Sequence, residues 1–141
     1  MTRLALLRHG PTEWNAARRL QGRADIPLSE QGREAVRSWR LPAPIRGFAW
    51  AASPLSRCVE TAEILRRQLP EPGPLRIEPR LIEMDFGVWE GETLAALRLA
   101  HGAHMSELEG RGLDFHAPGG ESPRAVQDRL RPWLTEIVAS R

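Results

Sequence analysis

An arginine and a histidine stand side by side where the first apolar run of the chain stops: Arg8-His9-Gly10, with Thr12 two residues on. Histidine offers a base or a nucleophile near neutral pH, and a guanidinium offers paired hydrogen bonds to a tetrahedral oxyanion. The pair points to an anion site that contains its own nucleophile or base. A second arginine, Arg57, falls one turn into a helix predicted after Ser53-Pro54-Leu55, where it can meet the same anion as Arg8. Two such side chains can grip three phosphoryl oxygens. Taken singly, each has a plainer reading: Arg8 and His9 as polar residues at a strand end, Arg57 as an exposed helix arginine. A third segment, Leu81-Ile82-Glu83-Met84-Asp85-Phe86-Gly87-Val88-Trp89-Glu90-Gly91, interleaves carboxylates with large apolar residues. In a loop beyond a strand this pattern can leave one carboxyl partly desolvated, its pKa raised towards general-acid use. Glu83 lies earliest and closest to the preceding strand; Asp85 and Glu90 are expected to bond backbone or arginine.

The elements that must position these residues alternate along the chain. Leu4-Ala5-Leu6-Leu7 reads as a short buried strand, with the Arg8-His9 pair at its C-terminal end, where ligands bind in open α/β sheets. Ser29 can cap a helix carrying Ala35, Val36 and Trp39, ended by Pro42 and Pro44. Gly47-Phe48-Ala49-Trp50-Ala51-Ala52 is a second strand, and Ser53-Pro54 places a capping hydroxyl before a proline at the first helical position. In the helix that follows, Leu55, Val59, Ala62, Leu65 and Leu69 keep helical spacing and should face a sheet. After the proline-rich stretch at 70–74, Leu75-Arg76-Ile77-Glu78 is a third strand. Residues 92–117 carry a helix from Thr93 to Ala100 and then lose any clear period. Ser122-Pro123 repeats the cap-then-proline start, and Val126, Leu130, Trp133 or Leu134, and Ile137 mark a last amphipathic helix. This alternation predicts an α/β fold with parallel strands and crossover helices.

Composition narrows the chemistry further. With 141 residues the chain is expected to form one domain, 1–141. All twenty basic residues are arginine, which excludes the P-loop lysine, the protein-kinase lysine and Schiff-base mechanisms. Twenty arginines against eighteen acidic residues give a net charge of +2. With no basic run interleaved with aromatics, nucleic acid is not an expected partner. Cys58 is the single cysteine, so no internal disulfide can form and a reducing, cytoplasmic setting is expected. The N-terminal apolar run is too short for a signal-peptide core or a membrane span.

Taken together, Leu7-Arg8-His9-Gly10-Pro11-Thr12-Glu13-Trp14-Asn15, Leu20-Gln21-Gly22, Pro27-Leu28-Ser29 with Gly32, Ser53-Pro54-Leu55 with Arg57 and Thr61-Ala62, the loop at 83–91, and Gly119-Gly120-Glu121-Ser122 resemble the histidine phosphatase superfamily, also called phosphoglycerate-mutase-like. The resemblance implies a three-layer α/β sandwich with a mostly parallel sheet flanked by helices. It also implies phosphomonoester hydrolysis through a phosphohistidine: His9 attacks phosphorus, Arg8 and Arg57 clamp the transferring group, and Glu83 protonates the leaving alcohol and later activates water. Asn15 would contact the phosphoryl oxygens, and Thr12, Gln21 and Gly22 map onto the substrate loop. Neither metal nor cofactor is implied, and the expected partner is a small-molecule phosphomonoester.

The resemblance also implies a further strand after the last helix, ending in a serine-histidine-glycine segment whose histidine completes the phosphate pocket; the sequence stops at Arg141 without it. His101, His104 and His116 lie in the wrong order to replace that histidine and read as solvated. Without that strand, the family fold would expose backbone groups and apolar surface beside residues 4–7, so either a longer product or dimerisation is expected. Two alternatives accompany the phosphatase reading. One is a cofactor-dependent phosphoglycerate mutase, against which the Met84 to Gly91 form resembles small phosphatases such as alpha-ribazole phosphatase. The other is a phosphate-binding module of weak turnover, since the second catalytic histidine is absent.

Overall fold

Three of the helices start where a hydroxyl accepts the amide three residues ahead. The computed structural model describes residues 2–140. After a single turn, α1 (Glu13–Ala16), Ser29 accepts the Gly32 amide at 3.0 Å and α2 (Glu30–Ser38) begins. The strands are β1 (Trp50–Ala52) and β2 (Leu75–Ile77), with α3 (Ser56–Arg66) between them as the crossover. Thr93 caps α4 (Leu94–Glu109) through the Ala96 amide at 3.1 Å, and Ser122 caps α5 (Pro123–Ala139) through the Ala125 amide at 3.2 Å.

β1 and β2 pair in parallel, Trp50 against Leu75 and Ala52 against Ile77, and the Glu78 amide extends the ladder to the Ala52 carbonyl at 2.8 Å. A parallel pair flanked by helices agrees with the α/β expectation, on a smaller scale. Residues 4–7 depart from it. They form no strand, have no ladder partner among the described residues, and leave Leu6 87 % exposed. An apolar run becomes a strand only when a neighbour takes its N–H and C=O groups, and β1 is paired with β2 instead.

The chain divides into two compact units. One comprises the residues up to Glu13 together with Asp25–Ile82; its core is Leu28, Val36, Leu41 and Leu65, with Trp39, Ile45, Trp50, Ile64 and Leu69 packed against it. The other comprises Trp14–Ala24 and the residues from Glu83 onward; its core is Trp89, Leu97, Met105, Leu108 and Ala117. There α4 runs well past Ala100, kinked at Gly102 (φ 43°, ψ −115°). The helix buries only Leu97, Met105 and Leu108, too sparse a stripe to mark its full length in sequence. None of the described helices is long and apolar enough to cross a membrane.

α3 begins two residues later than the Ser53-Pro54 pair suggests. Leu55 is extended at its N-cap and offers no side-chain bond; the Ser56 amide donates instead to the Asp25 carboxylate at 2.7 Å. A carboxylate at a helix N-terminus satisfies an orphan amide and complements the dipole, so this end is already occupied by an anion of the chain itself.

Glu78, at the end of β2, is 2 % exposed and accepts bonds from Arg80 Nε at 2.7 Å and Arg80 Nη2 at 3.0 Å, with Arg76 Nη2 at 3.3 Å. The Arg80 hydrogen bond holds its carboxyl at about 2, below the ordinary 4.5, against the opposing effect of desolvation. A carboxyl depressed in the folded state stabilises fully above its unfolded pKa, and that contribution fades as pH falls from about 4.5 towards 2. Glu78→Gln should therefore lower stability near neutral pH and flatten the acid limb of a urea-midpoint profile. Parallel profiles for variant and wild type would contradict this assignment.

Candidate active site

The first unit holds the candidate nucleophile, His9. Gly10 donates its buried amide to Thr61 Oγ1 at 2.9 Å, and that hydroxyl donates onward to the Arg57 carbonyl at 2.7 Å. Thr61 and Arg57 are one turn apart on α3, so this relay ties the segment carrying His9 to the turn that carries Arg57. Both steps run through a hydroxyl that is 2 % exposed. Thr61→Val keeps the volume but strands the Gly10 amide, and should cost about 1–3 kcal/mol in denaturant unfolding. A variant as stable as wild type would show the relay to be dispensable.

His9 is half-buried, and its Nδ1 lies 2.7 Å from the Gly10 carbonyl oxygen. A carbonyl only accepts, so Nδ1 must carry the proton in this contact. In the neutral ring that leaves the lone pair on Nε2. The outer nitrogen, Nε2, thus carries the lone pair a nucleophile needs.

Arg57 is 1 % exposed, which the composition of an Arg-rich chain does not disclose. A guanidinium cannot lose its proton, so burying it demands anionic or hydrogen-bonding company and makes its charge count for more than it would in water. Arg8, by contrast, is exposed and makes no hydrogen bond or ion pair among the described residues. Thr12 is buried in the same unit and bridges Leu28 in antiparallel fashion.

The remaining predicted residues, Asn15, Gln21, Gly22 and Glu83, belong to the second unit. Asn15 sits half-buried on α1, its carbonyl accepting the Arg18 amide. Gln21 is buried, and Gly22 takes φ +51° against Glu90, where a Cβ would run into the Glu90 carboxylate. Glu90 also accepts the Arg23 amide at 2.6 Å. Asp85 accepts the Gly87 amide at 2.7 Å and meets Arg23 Nη1 at 3.4 Å, so these two acids bond backbone and arginine as expected.

Glu83 corrects one expectation. It is exposed rather than desolvated, and accepts the adjacent Met84 amide at 2.8 Å. Two apolar residues of the loop turn away into the core, where Trp89 is buried and Phe86 packs against it, while Val88 is exposed. Sequence reading also gives no sign of Arg129. This α5 side chain meets Glu121 through Nε at 2.9 Å and Nη2 at 3.1 Å, and reaches the Glu83 carbonyl from Nη2 at 3.3 Å. Burial raises the Glu121 carboxyl pKa, but Arg129, the Asp85 amide and the charge of Arg23 together hold it below the ordinary range. His101, His104 and His116 are all exposed. Among the described residues no group of three or more His, Cys, Asp or Glu could hold a metal ion.

Comparison with known proteins finds relatives along most of the chain. Over 138 residues the chain is 38% identical to a glucosyl-3-phosphoglycerate phosphatase of Mycolicibacterium vanbaalenii, covering 96% of this chain and 60% of that one. It is 33% identical over 140 residues to a probable phosphoglycerate mutase of Proteus mirabilis, covering 99% of this chain and 64% of the relative. The chain therefore spans a little over three-fifths of the length of these curated relatives. Among solved structures, a mycobacterial glucosyl-3-phosphoglycerate phosphatase complexed with VO3 superposes with a TM-score of 0.77 at 33% identity, covering 94% of this chain and 65% of that one. A phosphoglycerate mutase from Thermus thermophilus gives 0.69 at 34% identity, covering 91% and 68%. The model of the histidine phosphatase superfamily (branch 1) matches residues 4–141, and the chain belongs to that superfamily.

Proposed function

We propose that this protein hydrolyses a small phosphomonoester through a phosphohistidine on His9. The observation that carries the reading is the Nδ1 contact with the Gly10 carbonyl, which puts the ring proton on Nδ1 and the lone pair on Nε2, the nitrogen that would form the N–P bond. The Nε2 lone pair attacks phosphorus in line, the P–O ester bond breaks, and the departing alcohol takes a proton from Glu83. In the second half, the Glu83 carboxylate removes a proton from water, the oxygen attacks phosphorus, and the N–P bond breaks to release inorganic phosphate. Arg57, fixed by burial, and the exposed Arg8 neutralise the charge on the transferring group. Asn15 adds a contact to its oxygens, with Thr12, Gln21 and Gly22 shaping the substrate loop. This chemistry needs alignment and charge neutralisation rather than a metal.

The mycobacterial phosphatase relatives favour a phosphorylated sugar acid as the substrate class. The mutase relatives support a second reading, return of the phosphoryl group to the same class of acceptor. Phosphate release from glucosyl-3-phosphoglycerate and 3-phosphoglycerate, each with and without a bisphosphoglycerate primer, separates the two. Release without primer supports hydrolysis; primer-dependent isomerisation without release supports the mutase. Phosphate binding without turnover of either would identify a binding module. The single cysteine is in keeping with a reducing cytoplasm.

A further inference from the structure

We propose that Arg129 is a positioning residue for the Glu83 carboxyl, a role that rests on the hydrolytic reading above. Glu83 is exposed, and among the described residues its carboxylate is held locally, by the amide of the next residue. Where that carboxylate points is consequently decided by the course of the main chain at residues 83–85. Two groups hold that course. Arg129 Nη2 donates to the Glu83 carbonyl at 3.3 Å, while Glu121 Oε2 accepts the Asp85 amide at 3.3 Å and the Glu121 amide donates to the Asp85 carbonyl at 2.8 Å.

The two groups hold each other. Arg129 and Glu121 form a forked pair in which the arginine side chain is 18% and the glutamate side chain 17% exposed. Arg23 reinforces it, with Nη2 at 3.2 Å from Glu121 and Nη1 at 3.4 Å from Asp85. A planar guanidinium can hold a carboxylate with two donors and still spare an N–H for a carbonyl; an ammonium has no such fixed fork. Arg129 thereby links helix α5 to the peptide that carries the proposed acid.

A proton donor held in place matters only when the leaving group needs its proton. A dinitrophenolate leaves unaided, whereas an alkoxide does not. The test compares turnover of 2,4-dinitrophenyl phosphate with that of glycerol phosphate in the full chain, with Glu83→Gln setting the size of the complete effect. Arg129→Ala should lower the glycerol phosphate rate by about 10–100-fold, part of the ~10²–10⁴ that general acid catalysis supplies, and leave the aryl ester within about threefold. Arg129→Lys should fall between. Glu121→Gln preserves shape and provides a second variant, with the same selective loss expected.

Equal losses on both esters, as general damage to the fold produces, or no loss on either, would overturn the positioning role while leaving the hydrolytic reading intact. Wild type inactive towards both esters, or Glu83→Gln without leaving-group selectivity, would instead overturn the functional reading and this inference with it.

Discussion

His9→Ala is expected to form no acid-labile phosphoenzyme and to lose turnover of an aryl phosphate by about 10⁴-fold or more, the scale seen when a covalent nucleophile is removed. The magnitude follows from the proposed division of labour: Arg8, Arg57 and Glu83 would assist a bond that the imidazole makes, and without it water would have to attack the ester directly. The fold should survive, because the Gly10 amide that anchors this segment belongs to the backbone and keeps its bond to Thr61. Unfolding measured alongside activity separates the two effects. Residual turnover within tenfold of wild type would assign the nucleophile elsewhere.

Arg57→Lys carries the second largest effect. The charge is preserved but the planar fork is not, and a group that stabilises charge developing in the transition state typically contributes about 10²–10³-fold to the rate. Because Arg57 is 1 % exposed, the lysine would also have to bury a compact ammonium in a space shaped for a guanidinium. The loss should fall on kcat more than on KM, since the interaction tightens as phosphorus becomes trigonal. Arg8→Lys, at an exposed position, should cost less. A reversed order would show that the exposed arginine, not the buried one, carries the transition-state charge.

How legible this protein is in its sequence depends on the range of each interaction. Ser29, Thr93 and Ser122 announce their helices because a cap and its amide lie three residues apart. Asp25 capping the Ser56 amide spans 31 positions and leaves no local signature. The motifs around His9, Arg57 and Glu83 can be read from residue type and order, yet their environments cannot. Arg57 is buried and Glu83 exposed, the reverse of the plainest expectation for each, because burial is decided by what packs around a segment from elsewhere in the chain. Residues 4–7 show the same limit: four apolar residues read as a strand, but strand formation requires a partner. Arg129 is one arginine among twenty, and only its spatial link to Glu121 and the Glu83 carbonyl distinguishes it.

The most direct test is to trap the phosphorylated protein by rapid quenching into base and to assign, by phosphorus and nitrogen NMR, which ring nitrogen of His9 bears the phosphoryl group. With Nδ1 committed to the Gly10 carbonyl, the phosphoryl group belongs on Nε2. A stable N–P bond at Nδ1, or phosphate found on any residue other than His9, would contradict the account.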